Sequence, residues 1–94
     1  MDETPSEKAT RYLKSIETVL SRIEFSKPSC TVDGESIGSV VAAAKSYVED
    51  ARHYLRDKPS TALAAVSYAE GLLDALRLLG AAKFTWPNAK GDTG

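Results

Sequence analysis

Cysteine and histidine are nearly missing from this chain: Cys30 and His53 are each the single residue of their kind. An intramolecular disulfide is therefore impossible, and a structural zinc site, which draws its ligands mainly from Cys and His, has too few of them. Cys30 lies in a loop segment with no activating base nearby, so it does not read as a reactive thiol. A charge excess is missing as well. Twelve basic and thirteen acidic side chains leave a formal charge of -1 and a pI near 5.8. A nucleic-acid-binding domain usually carries a strong basic balance, so this composition argues against one without removing a local basic patch. No apolar run approaches the roughly 20 residues needed to span a bilayer. The first residues, MDETPSEKAT, are polar and partly acidic and do not read as a secretory signal. Together these features predict a soluble cytoplasmic protein with no membrane segment, no metal and no cofactor.

What is present is helical patterning over most of 94 residues, enough for one modest core. In TPSEKATRYLKSIETVLSRIEF (4–25), Thr4, Pro5 and Glu7 have the order of a capping box with proline in the first turn. Ala9, Leu13, Ile16, Val19, Leu20 and Ile23 follow at three- and four-residue steps, an amphipathic stripe. Residues 25–34 read as a loop, with Asp33 placed to cap the next helix over 35–57. Pro59 closes that second helix and opens a third, which Gly80 is placed to end. Such a short break joins antiparallel neighbours. Phe84 and Trp86 then precede Pro87, and the aromatic pair is expected to pack across one end of the bundle. No stretch alternates at period two, so a sheet is not expected. The prediction is an all-α, antiparallel three-helix bundle. It has a hairpin of helices 2 and 3 and an aromatic C-terminal tail, with one domain over 1–87 and a flexible tail over 88–94.

The third helix carries more than one apolar stripe requires. Ala62, Ala65, Val66, Ala69, Leu72, Leu73 and Leu76 make its core side, yet Leu63, Ser67, Gly71, Asp74 and Leu78 cluster roughly opposite. Glycine within a helix costs about 1 kcal/mol relative to alanine. Ser67, Gly71 and Ala75 form a ridge of small residues that lets a second backbone approach. That backbone belongs to the first helix, or to a homodimer or protein partner; a ligand is the third alternative. Glu70, Asp74 and Arg77 read as a solvated ion-pair row, with a part-buried, hydrogen-bonded Asp74 as the alternative. Tyr68 reads as an edge residue with its ring covered and its hydroxyl wet. Glu49 and His53, four residues apart, read as a surface pair rather than half a metal site.

The run YVEDARHYL (47–55), the stretch TALAAVSYAEGLLDALRLLG (61–80) and the trailing Trp86 resemble a small family of archaeal helical proteins of unknown function. The resemblance covers about residues 12–86, and Ser67, Tyr68, Gly71 and Asp74 match its motif. It implies a compact three-helix fold and a cytoplasmic location, and it implies no activity. A second, weaker resemblance is to the helical nucleotide-binding and RNase-like domains that accompany small nucleotidyltransferases. The RNase members place an arginine four to six residues before a histidine near a late helix. Here Arg52 adjoins His53 and no histidine follows, so a non-catalytic relative is what this resemblance implies.

Three functions follow as expectations. The first is a non-enzymatic interaction module, adaptor or homo-oligomer, that uses Leu63, Ser67, Gly71, Asp74 and Leu78 as its face, with tail contacts from Phe84 and Trp86. The alternative is an RNA- or nucleotide-associated helical domain without catalytic residues, drawing on Lys83, Phe84 and Trp86. An enzyme using Tyr68, Glu70 and Asp74 ranks last, because it needs a concave pocket that a small bundle rarely supplies.

Overall fold

Thr4 opens the first helix as its spacing predicts. In the computed structural model, which describes residues 3–26 and 32–87, the Glu7 amide donates to the Thr4 hydroxyl at 3.1 Å. The Thr4 amide donates in return to the Glu7 carboxylate at 2.9 Å. This reciprocal box starts α1 (Pro5–Arg22). A two-residue strand β1 (Glu24–Phe25) follows, then α2 (Gly34–Tyr54), α3 (Pro59–Leu78) and a second short strand β2 (Ala82–Lys83). Asp33 caps α2 through a 2.7 Å bond from the Ser36 amide. The expected mobile segment 88–94 and Cys30 lie outside the described residues.

The three helices run up, down and up, and α3 is the central one. It packs closely on both α1 and α2, while α1 and α2 touch each other far less. The residues on the shared faces explain the closeness. Ala44 and Ala51 of α2 meet a face of α3 that includes Ala62 and Ala69, and all four are fully buried. Side chains this short let helix axes approach the lower end of the usual 8–10 Å range. Leu13, Ile16 and Val19 of α1, with Val48, Val66, Leu73 and Leu76, fill the remaining volume.

The end of α1 differs from the expectation. The apolar stripe reaches Ile23, yet the helix stops at Arg22 and Ile23 turns extended, with φ -62° and ψ 135°. The reason is non-local. Glu24 and Phe25 pair antiparallel with Lys83 and Ala82, and the Ser26 amide donates to the Ala81 carbonyl at 3.0 Å. A minimal two-strand ribbon thus stands where no strand was expected. It ties the exit of α1 to the exit of α3. Gly80 makes that exit possible: its φ of 80° is left-handed. The Ala81 amide reaches back to the Leu76 carbonyl at 2.9 Å, and that of Gly80 to Arg77 at 3.1 Å. This is the paired-bond helix ending that favours glycine. α2 also ends earlier than the 35–57 pattern, at Tyr54, before a turn over residues 55–57.

The aromatic tail packs back on the bundle. Phe84 and Trp86 lie against the core and meet edge to face, ring centroids 5.0 Å apart.

Candidate interaction face

Because α3 is covered by α1 on one flank and α2 on the other, the side away from both is free. Its occupants form a regular series. Thr61, Ala64, Tyr68, Gly71, Ala75 and Leu78 recur at alternating steps of three and four, and all six are exposed. Leu78 is 72% exposed and Tyr68 55%. Alternating steps of this kind keep one seam in register along a helix. None of the six carries a charge.

Gly71 lies inside this seam. A Cβ built there would meet nothing within 4 Å. The alternative in which the Ser67–Gly71–Ala75 ridge is filled by the first helix is therefore overturned: the ridge is open. Tyr68 also departs from expectation. More than half of it is exposed, and its ring rests edge-on against Tyr47 of α2 at 4.6 Å between centroids.

The proposed cluster of five divides in two. Gly71 and Leu78 belong to the exposed seam, and Ser67 is exposed beside it. Leu63 is partly buried and packs on the core, so it does not present a free surface. Asp74 is half-buried and engaged. Its Oδ1 accepts from Arg77 Nε at 2.8 Å and from Trp86 Nε1 at 3.1 Å. The Arg77 bond is the main reason the carboxyl is held below its usual range, with Trp86 assisting against the cost of desolvation. Asp74 thus anchors the tail to the last turns of α3. Sequence reasoning missed Thr61 and Ala64. The alternation of three- and four-residue steps was the signal that reaches them, obscured because neither residue is strongly apolar.

A groove runs alongside the seam between α1 and α3. It encloses about 390 Å³ and is lined by Arg11, Tyr12 and Ser15 of α1, by Ser67, Glu70, Gly71 and Asp74 of α3, and by Trp86 and Pro87. Glu70 is half-buried there, and burial pushes its pKa up to about 7, with the Asp74 charge adding and Arg11 opposing. Arg11 itself is committed elsewhere. It makes a two-pronged pair with Glu3, both bonds 2.8 Å, and its guanidinium lies 4.9 Å from the Tyr12 ring centre.

A second cavity of about 610 Å³ sits at the ribbon end, bordered by Arg22, Arg77, Lys83 and Phe84. Part of its positive charge is spent: Arg77 holds Asp74. On α2, Glu49 pairs with Arg52 at 2.9 Å and His53 rests against the Tyr54 ring. Among the described residues, no group of three or more His, Cys, Asp or Glu is arranged to hold a metal ion. Among the described residues, no helix is long and apolar enough to cross a membrane.

Residues 11–82, from the second turn of α1 to the start of β2, match the family described as protein of unknown function, DUF357. The chain belongs to the DUF357 family. No curated protein and no solved structure matches it. The DUF357 match contains the core positions of α2 and α3, those of α1 from Leu13 onward and the whole α3 seam. The Thr4–Glu7 cap and Trp86 fall outside it.

Proposed function

We propose that this DUF357 chain is a non-enzymatic interaction module whose docking surface is the free face of α3 and whose partner is a helix of another protein chain. The observation that carries the reading is the uncharged, exposed series Thr61, Ala64, Tyr68, Gly71, Ala75 and Leu78 at coiled-coil spacing. A solvated helix face is normally polar. Here the face presents a leucine and a tyrosine with small residues between them, the relief into which side chains of another helix fit.

A non-catalytic role is supported by the duties of the two groove carboxylates. Asp74 serves as acceptor for Arg77 and Trp86, a structural task. Glu70, on which the Arg11 and Asp74 charges act, makes no side-chain hydrogen bond to a nucleophile or base among the described residues. An RNA- or nucleotide-associated role has less to stand on, because one of the three cations near Phe84, Arg77, is already paired with Asp74 and the chain carries no basic excess.

The test is a charge placed in the seam. Ala75→Glu is exposed and compatible with a helix, so circular dichroism and melting temperature should match the parent chain. Capture of partner chains by the tagged protein should fall at least tenfold. An unchanged set of captured chains would rule the face out.

A further inference from the structure

Resting on the docking face just proposed, we infer that its occupant is a second copy of this chain, with the two α3 helices antiparallel about a twofold axis between Tyr68 and Gly71. The argument starts from the seam's sizes. In an antiparallel pair centred there, the six positions meet in three kinds of layer: Thr61 with Leu78, Ala64 with Ala75, and Tyr68 with Gly71, each occurring twice by symmetry. Every layer sets a larger side chain against a smaller one, or two alanines together. The exposed Tyr68 ring lies over Gly71 of the other copy, where a Cβ has no neighbour within 4 Å. No described residue requires glycine at that position, and the second copy supplies the requirement.

A parallel pairing of the same seam is poorly matched. It stacks tyrosine on tyrosine, leaves glycine opposite glycine, and so alternates overcrowding with voids, both of which are unfavourable in a packed seam.

The polar rim points the same way. Both hydrogen bonds to Asp74 fall on Oδ1. Among the described residues, Oδ2 accepts no bond and the Ser67 hydroxyl donates none. In the antiparallel register, Ser67 of each copy flanks Asp74 of the other. The hydroxyl then meets a carboxylate oxygen in need of a donor, twice per dimer, and no like charges are brought together. On the opposite rim, Ala65 meets Leu72. The seam spans about 26 Å of helix at 1.5 Å per residue. One helix pair of that length lies at the small end of stable interfaces, which bury about 800 Å² per partner. A seam this short makes a reversible dimer, one that dissociates on dilution.

Directed cross-linking tests orientation and occupant together. In a Cys30→Ser background, one preparation carries Ala64→Cys and another Ala75→Cys. The two are mixed, oxidised gently and mapped as peptides, alongside mass measurement of the unmodified chain at its highest soluble concentration. The inference predicts a covalent dimer joined chiefly between positions 64 and 75, and an unmodified species approaching twice 10.1 kDa. A dimer joined 64 to 64 and 75 to 75 overturns the antiparallel geometry. A chain that stays at 10.1 kDa overturns the second copy as occupant. In that case capture sensitive to Ala75→Glu still upholds the docking face, so the two failures are told apart.

Discussion

Gly71 is the residue on which the account turns. In an exposed helix interior, glycine is worse than alanine by about 0.5–1 kcal/mol. Gly38 of α2 is equally open, with nothing within 4 Å of a built Cβ. Both Gly71→Ala and Gly38→Ala should therefore stabilise the protomer by about 0.5–1 kcal/mol in denaturant unfolding at low concentration. Only Gly71→Ala should weaken self-association, because its methyl meets Tyr68 of the other copy. Equal effects of the two on association would remove the special place given to Gly71. Glu70 makes a second prediction at this scale. Its pKa in the fold is about 7, against 4.5 for an ordinary glutamate. The folded form keeps a proton that the unfolded chain loses, so Glu70's contribution to stability is intact below 4.5 and is lost as pH rises towards 7. Glu70→Gln should leave stability near pH ~4 almost unchanged and raise it near pH ~8. Melting curves at both pH values that shift equally would show that Glu70 is not desolvated. The caps at Thr4 and Asp33 and the stop at Gly80 were legible in the sequence because each acts within a few residues. The burial of Glu70 and the Trp86–Asp74 bond were not, because both depend on where the tail returns.

At the scale of elements, three helices and their core stripes were readable from periodicity, and the structure follows them to within a few residues except at one end. The apolar stripe of α1 was expected to run through Ile23, with a loop beginning at residue 25. The helix stops at Arg22 because β1 pairs with β2, a contact between segments more than fifty residues apart. Rhythm alone cannot register such pairing. The same limit shaped the reading of α3. Its core side was plain from Val66, Leu73 and Leu76, but the free side was set too close to α1, taking in Leu63 and Asp74. Which flank a neighbour covers is a fact of tertiary packing. The start of α1 offers a clean test of a local device. Thr4→Ala removes the hydroxyl that accepts from the Glu7 amide, and it should cost about 0.5–2 kcal/mol of stability. Because the cap lies far from the α3 seam, self-association measured under folded conditions should be unchanged.

At the scale of the whole molecule, the arrangement assigns different work to different surfaces. α3 is the shared support for α1 and α2 on its buried side, with a seam on its free side that no described residue covers. The ribbon and the Trp86–Asp74 bond fix the tail against the end of the bundle. The DUF357 match covers α2, α3 and most of α1, including the whole exposed seam. The measurement that bears most directly on this account is sedimentation equilibrium of the unmodified chain over a wide concentration series, with Ala75→Glu run beside it. The account predicts a reversible rise from 10.1 kDa towards twice that mass for the unmodified chain, while Ala75→Glu stays monomeric and equally helical. An unmodified chain that remains monomeric throughout, or an Ala75→Glu chain that dimerises just as well, would contradict it.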